Sequence, residues 1–449
     1  MAASFFHPSP EFRREVSKVF RLSVPAVLTQ ITTIAMQYID SAMVGNLGAN
    51  ASASIGLVST STWLMGGVGA AVSAGFSVQA AQYIGAGEPH NARRVAKHGF
   101  VTALAASLLL AALGALISGV LPAWLGGEAA LQKDASHYFL VFALALPFQE
   151  MNRMAASFLQ CAGNMVVPSI LNAAMCLLDV AFNALLIPRY GVLGAALGTG
   201  LATAVVCVAE MWFCCLRYEP LRLNRRESCP PDASILRRAF RIGVPVGAES
   251  IAMSGASVVS TMIIAPLGAV SIAAHSFAIT AESLCYMPGY GVATAAATLV
   301  GQSIGAKDYP LARRYGYITV AFGSALMALT GVIMFIGCPW VFQLLTPVAD
   351  VRTVAAQILR IGLLAEPLYG VSMVASGVLR GAEDTLVPSL LNLFSIWVVR
   401  LGLALVLVRR FGIHGMWMAM AFELCVRGLL LLYRQLHSRY LNPALPRKK

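Results

Sequence analysis

The sequence predicts an all-α polytopic membrane protein with twelve transmembrane helices in two parallel six-helix repeats. Three observations carry this. Of 449 residues, 58% are apolar or aromatic and only 12% are charged, about half the charge of a soluble domain, so a water-facing globule lacks the polar surface to cover them. Apolar runs of spanning length recur along the chain, each close to the ~20 residues a bilayer helix needs. The chain also matches itself when shifted by 220 residues. This composition excludes a nucleic-acid binder, a disulfide-stapled secreted domain and a single-span receptor. The net charge of +12 is therefore read first as membrane orientation.

Cutting the apolar runs at Pro, Gly and charge clusters places spans near 20–43, 55–82, 98–121, 136–159, 166–187, 193–216, 242–265, 272–300, 316–338, 354–378, 387–408 and 415–434. With the N-terminus in the cytoplasm, the inside termini and loops hold 23 Lys or Arg and the outside loops five. Lys and Arg in short loops set topology, so both termini are expected on the cytoplasmic side of a cell (inner) membrane. Residues 1–18 carry Glu11, Arg13, Arg14, Glu15 and Lys18 with no apolar stretch before them; no cleavable signal is expected, and the first span directs insertion. Nine Cys show no CxxC or Cys/His metal spacing, and Cys176, Cys207, Cys214, Cys215, Cys285 and Cys338 lie in apolar runs as small hydrophobes.

The shift aligns Pro25 with Pro245, Gly48-Ala49 with Gly268-Ala269, Pro147 with Pro367, Pro168-Ser169 with Pro388-Ser389 and Asn172 with Asn392, with no gap. In 82–94, seven of thirteen positions are identical to 302–314, where chance gives roughly one. Six spans is an even number, so both halves enter the membrane in the same direction, related by a two-fold axis along its normal. The expected division is 1–216, a cytoplasmic linker at 217–241 broken by Cys229-Pro230-Pro231, and 242–449 with a basic C-terminal tail. Two six-span halves suit alternating access. The chain contains no GxxxxGK[ST], no HExxH and no nucleophile elbow, so neither an ATP-driven pump acting alone nor an enzyme is expected.

Several segments resemble the multidrug and toxic compound extrusion (MATE) family: Pro25 to Gly48 with Gln30, Asp40 and Val44-Gly45-Asn46-Leu47-Gly48-Ala49; Gln82-Tyr83-Ile84-Gly85-Ala86-Gly87 with its partner Gly301-Gln302-Ser303-Ile304-Gly305-Ala306; and Leu379-Arg380-Gly381-Ala382-Glu383-Asp384-Thr385 before Pro388. The resemblance implies a V-shaped two-lobe antiporter that exports amphiphilic, often cationic, organic compounds in exchange for H+ or Na+, without a cofactor. It is similar to the DNA-damage-inducible-F branch, which carries an Asp in span one and another in span five. Asp40 and Asp179 stand at those places, whereas the only acid in span seven is Glu249. Met175 replaces an Asn often found one turn before the span-five Asp, which leaves fewer oxygen ligands and favours H+ over Na+ at the Asp40/Asp179 site. Small organic molecules and the bilayer are the expected partners, nucleic acid is not, and the chain is expected to be a monomer.

A carboxylate in hydrocarbon costs several kcal/mol unless paired, hydrated or protonated, which is the property a proton carrier uses; Asp40 is accordingly the expected coupling acid, or else a cap toward outer-leaflet water. Asn172 and Asn183 fall seven residues before and four after Asp179, on one helical face, a polar stripe that suits coupling, substrate contact or inter-helix hydrogen bonding. Asn152 and Thr199 join this N-lobe polar set by analogy with the family, or serve packing. Glu150 and Arg153 are spaced to neutralise each other, as are Glu423 and Arg427. Pro25 is the expected helix bend.

In the second half, Glu282, Glu366, Arg400 and Glu423 are charged candidates, with Arg400 expected to pair with Glu366 or Glu282. They form either a structural ion network or a second protonation point or cation-attracting wall. His275 reads as a hydrogen-bonded interfacial residue or a proton relay. Met36, Met65, Met151, Met175, Met253, Met287 and Met373 lie in spans, where flexible side chains suit a pocket of many shapes or ordinary core. Arg93-Arg94 and Arg313-Arg314 read as cytoplasmic anchors. The alternative function is a flippase for a lipid-linked saccharide or peptidoglycan precursor, which needs several Arg or Lys for the diphosphate. In spans one to six only Arg153 is available.

Overall fold

The computed structural model describes residues 10–223, 230–346 and 348–441, and these are almost entirely helical. Cys229 and the basic residues of the C-terminal tail, Arg447, Lys448 and Lys449, lie outside the described residues. In the first half the helices are α1 (Pro10–Gly45), α2 (Ala49–Gly85), α3 (Pro89–Ile117), a short α4 (Leu121–Trp124), α5 (Ala129–Cys161), α6 (Val166–Tyr190) and α7 (Val192–Trp212). In the second half they are α8 (Ala233–Ile264), α9 (Ala269–Gly305), α10 (Tyr309–Leu345), α11 (Ala349–Leu363), α12 (Glu366–Gly381), α13 (Leu386–Phe394), α14 (Leu401–Phe411) and α15 (Ile413–Leu436).

Among the described residues nine helices are long and apolar enough to span a bilayer, and α11 with α12, bent by 56°, makes a tenth. α5 and α9, of 33 and 37 residues, complete twelve. Their interiors carry buried Glu150 and buried His275 and Glu282, which makes them the more polar spans. Leu116, Leu177, Val208, Leu329, Ile336 and Leu405 stand exposed along the helices, as lipid contact requires. The start of α10 follows local chemistry: it opens with Asp308, whose carboxylate accepts the Leu311 amide at 3.0 Å, and with Pro310 in its first turn.

The repeat is visible element by element. α2 and α9 begin and end 220 residues apart, as do the starts of α5 and α11 and of α6 and α13. Gly48 and Gly268 hold φ of +110° and +91° at the matching turns, a region open to glycine. Beyond α13 the offset becomes 221. Gly191 and Gly412 have φ +59° and +57°, and a Cβ on Gly194 or Gly415 would overlap the carbonyl of Leu186 or Leu407 respectively. The extra residue is absorbed at Ser395–Arg400, which winds as a π-helix, the usual mark of a one-residue insertion in a helix. The gap-free alignment read from the sequence therefore holds only up to this turn.

Packing divides the chain differently from the expected 1–216, 217–241 and 242–449. One compact unit, here the amino unit, is Ile31–Ser250; the other, the carboxyl unit, joins Met1–Gln30 to Ile251–Lys449. Both cuts fall inside a helix, five residues after Pro25 in α1 and five after Pro245 in α8. Contacts explain the assignment. In the carboxyl unit Phe20 packs on Phe322 with centroids 4.5 Å apart, and Glu15 pairs with Arg314 at 3.0 Å. In the amino unit the first turns of α8 are held by Arg94 on Asp232 at 3.2 Å and by Gln79 Nε2 donating to the Ile235 carbonyl at 3.2 Å. The expected linker is thus partly helix, and its end is part of a packed unit.

Each unit has its own core. In the amino unit Phe76, Phe100, Met154 and Phe158 form it, Phe100 and Phe158 meeting edge to face at 5.2 Å. In the carboxyl unit Trp417 is fully buried among α9, α11 and α15.

Candidate functional site

The amino unit brings α1 and α6 together along two matched polar rows. Thr33 and Asp40 are seven residues apart on α1, and Asn172 and Asp179 are seven apart on α6, two turns in each case. Asn172 Nδ2 donates to Thr33 Oγ1 at 3.2 Å. Two turns along, Asn183 Nδ2 donates to Asp40 Oδ1 at 2.9 Å and to Asp179 Oδ2 at 3.2 Å. One amide nitrogen therefore joins both acids. Asp179 and Asn183 are 0% exposed, while Asp40 is half-buried.

The Asp40 and Asp179 carboxyls lie within hydrogen-bonding reach of each other, and buried Asp179 Oδ1 receives no N–H or O–H donor among the described residues. A hydrogen bond between two carboxyls needs a proton on one of them. Tyr138, on α5, is close enough to interact electrostatically with both acids. Gly198 on α7 makes the room: a Cβ there would overlap Asn183 Oδ1 and stand 3.0 Å from its Cγ. The Gly191, Gly194 and Gly198 spacing lets α6 and α7 approach closely.

Asn152 and Thr199 do not enter this cluster by hydrogen bonds among the described residues. Asn152 is half-buried on α5 beside Cys207, its Oδ1 without a hydrogen-bond partner among the described residues, and the Thr199 carbonyl accepts the Thr203 hydroxyl at 2.8 Å. Pro25 lies in α1 before the unit boundary, where the Thr29 hydroxyl donates to its carbonyl at 3.0 Å. Arg153 Nε lies 3.7 Å from Glu150 Oε2, the expected i,i+3 pair. Sequence reading passed over Tyr138, Gly198 and Thr33. It also passed over Glu210, a buried α7 acid whose Oε1 has no hydrogen-bond partner among the described residues; its charge inside an apolar run was the available signal.

In the carboxyl unit the expected pairing of Arg400 with Glu366 or Glu282 is replaced by a pairing with Glu423. Arg400 donates to Glu423 Oε2 from Nε at 3.0 Å and from Nη2 at 2.6 Å, and the Ser395 hydroxyl donates to Oε1 at 2.7 Å. Residues five apart point about 140° away from each other on an α-helix; the wide turn Ser395–Arg400 brings both onto Glu423. Arg427 Nε lies 3.0 Å from Glu423 Oε1, as the i,i+4 spacing predicts. His275 is buried and accepts Trp417 Nε1–H at 3.1 Å on Nδ1. Among the described residues no cluster of three or more His, Cys, Asp or Glu is arranged to hold a metal ion.

Comparison with known proteins gives a consistent picture. The chain is 28% identical over 435 residues to a probable multidrug resistance protein NorM of Thermotoga maritima, covering 94% of this chain and 92% of that protein. It is 24% identical over 442 residues to the multidrug resistance protein NorM of Photobacterium profundum, covering 94% and 95%. Its fold superposes on a MOP superfamily transporter from Pyrococcus furiosus with a TM-score of 0.90 at 19% identity, covering 95% of this chain and 96% of that one. The Vibrio cholerae MATE transporter VcmN in its bent form gives 0.87 at 17%, covering 96% and 98%. The MatE family model matches residues 25–185 and 245–406, one stretch in each half of the repeat, and the chain belongs to the MatE family of membrane transporters.

Proposed function

We propose that the chain is a secondary multidrug efflux antiporter of the inner membrane, acting as a monomer with both termini in the cytoplasm, that exports amphiphilic cationic compounds in exchange for H+ by alternating access. The observation that carries this reading is the junction of Asp40, Asp179 and Asn183 in the interior of the amino unit. The names of the relatives, multidrug resistance proteins, support export of several drugs.

Asp40 is the proton acceptor and Asp179 its partner. A proton on Asp40 lets the two carboxyls share a hydrogen bond and removes a charge that needs water. Loss of that proton leaves two like charges held by one amide, which favours hydration or a cationic substrate close by. The proton and the substrate thus compete for the same negative charge, the thermodynamic basis of exchange. α1 carries the change along its length, with Pro25, which lacks a backbone donor, as its bend. Na+ as the coupling ion is less favoured: the site offers two carboxyls and one amide oxygen, and Asn183 Oδ1 is packed against Gly198. The flippase reading requires unpaired cations for a diphosphate, whereas Arg400 and Arg427 both sit on Glu423.

The deciding experiment is uptake of a fluorescent cationic dye by inside-out vesicles under imposed pH or Na+ gradients. Uptake driven by the pH gradient in the parent and abolished by Asp40→Asn is expected. An Asp40→Asn protein, present at normal levels, that still moves dye against its gradient as the parent does overturns the assignment.

A further inference from the structure

The carboxyl unit buries a second set of ionisable groups, drawn from α9, α12, the wide turn Ser395–Arg400 and α15. Glu423, 0% exposed, is fully engaged by Arg400, Arg427 and Ser395. Two more carboxyls share this interior. Glu282 on α9 is 5% exposed and Glu366 on α12 is 1% exposed. Glu282 Oε1 and both oxygens of Glu366 receive no hydrogen bond among the described residues.

Charge counting constrains what these acids can be. The Arg400 and Arg427 guanidiniums stay protonated, and Glu423 cancels one of them. A single further carboxylate makes the cluster neutral; a second leaves an uncompensated charge in a desolvated interior. The neighbours add no charge to this sum. His275 accepts on Nδ1 and is therefore the neutral tautomer. The Cys285 and Cys338 thiols and the Tyr286, Tyr290 and Tyr369 phenols are neutral forms. Arg360, on α11, lies over the Phe335 ring at 5.2 Å, on an exposed side of that helix. Glu282 faces both Arg400 and Arg427, whereas the charged group facing Glu366 is Glu282.

We propose that Glu282 and Glu366 form a second proton-binding site, holding one exchangeable proton between them, with Glu366 as its resting place. The site does not depend on the assignment of Asp40. A path for exchange lies on one face of α9, where Glu282, Tyr286 and Tyr290 follow at intervals of four residues. Tyr290 is 45% exposed, its ring 6.3 Å from Tyr286, which lies 5.7 Å from Tyr369. Tyr369 in turn carries Arg427 over its face at 5.3 Å. The three tyrosine rings thus lead from the exposed side to Tyr369, which lies close enough to Glu282 to interact with it electrostatically. Glu366 also opens α12 at the break after α11, where the two helices meet at 56°, so its proton sits at the bend of this span.

The test is infrared difference spectroscopy on the full chain in lipid nanodiscs, in an Asp40→Asn/Asp179→Asn background that silences the amino-unit acids. A protonated-carboxyl C=O band shifted by ¹³C-labelled glutamate is expected, and Glu366→Gln removes one carboxyl's share of it. Charge balance makes a sharper demand: Glu282→Gln also removes that share, because Glu366 must then ionise to compensate the second arginine. Thermal unfolding and gel filtration check each variant, and Glu282→Gln alone decides should Glu366→Gln fail to fold. A spectrum unchanged by Glu282→Gln, or by Glu366→Gln in a folded protein, overturns the proposal. Because the readout is spectroscopic, it stands apart from any failure of dye transport.

Discussion

Gly198→Ala perturbs the Asp40/Asp179/Asn183 junction without removing a polar group. The added Cβ would overlap Asn183 Oδ1 and stand 3.0 Å from Cγ and 3.1 Å from the backbone nitrogen of Asn183. The carboxamide must retreat by about 1 Å to reach ordinary contact. Its two hydrogen bonds start at 2.9 and 3.2 Å, so a displacement of that size carries at least one of them past the ~3.5 Å at which such a bond is lost. Overpacking costs about 1–3 kcal/mol and a hydrogen bond to a charged group about 1.5–3 kcal/mol; even about 1 kcal/mol, felt by the step that moves the proton, slows it about fivefold. The assay is initial rate of dye uptake into inside-out vesicles at fixed pH gradient, repeated over pH. Gly200→Ala is the control, since its Cβ meets only Ala145 Cβ at 3.5 Å, and parental rates are expected. In an Asn183→Ala background, where the overlapped side-chain atoms are gone and only the 3.1 Å contact with the backbone nitrogen of residue 183 remains, Gly198→Ala should add much less. The reasoning fails if Gly198→Ala transports as the parent does, or if its effect is undiminished when Asn183 is alanine.

Other consequences are equally direct. Glu423→Gln leaves buried Arg427 and half-buried Arg400 short of their shared carboxylate, and a loss of about 3 kcal/mol is expected as a lowered thermal midpoint in detergent. Deleting Val398 restores an α-helical frame across Ser395–Arg400 and swings Arg400 by about 100° from Glu423; it should destabilise at least as much as Arg400→Ala, and a smaller effect would deny the turn its role. Lys307 holds φ +60° where its repeat partner Gly87 holds +73°, so Lys307→Gly is expected to raise the midpoint by the equivalent of about 1 kcal/mol. Asp232, outside the membrane, is held below the usual carboxylate range first by the Ser234 hydroxyl and amide and then by Arg94. A depressed folded value means its contribution is present above the unfolded value of ~3.9 and is lost as pH falls through the folded one. Amide protection factors at 233–236, taken relative to the intrinsic exchange rate at each pH, should therefore be constant through neutral pH and fall only in that acid window.

The features written in one-dimensional patterns were legible. Spans follow from apolar run length, and the duplication follows from identities such as Gln82/Gln302 and Arg93-Arg94/Arg313-Arg314. The acids of the amino unit stand out because a carboxylate in hydrocarbon has few bland explanations, and a seven-residue offset on α6 already places Asn172 and Asp179 on one face. What escaped depends on contacts between helices. The partner of Arg400 turns on a single inserted residue, which the alignment ending at Asn392 does not detect. Gly198 contributes only the space it leaves for Asn183. The cuts within α1 and α8 depend on which unit Phe20 and Ile235 pack in, and nothing in the composition of either helix changes there.

The inserted residue also bears on why the two halves are chemically unequal. With the offset at 221 beyond the wide turn, Arg400 takes the place that Asp179 holds in the first half, and Ala404 takes the place of Asn183. Asp40 corresponds, at 220, to Ser260, whose hydroxyl donates to the Ala256 carbonyl at 2.8 Å. Every member of the amino-unit junction has thus lost its counterpart, and one has changed sign. A half-buried arginine at that place needs a carboxylate from a neighbouring helix, which Glu423 supplies from α15; the wide turn is what lets Arg400 and Ser395 reach it together. The acids left over in the carboxyl unit, Glu282 and Glu366, stand where the first half has Thr62 and Leu146. Any proton they bind is therefore not a duplicate of the one on Asp40. It arises from the charge that the arginines brought into the second copy of the same scaffold.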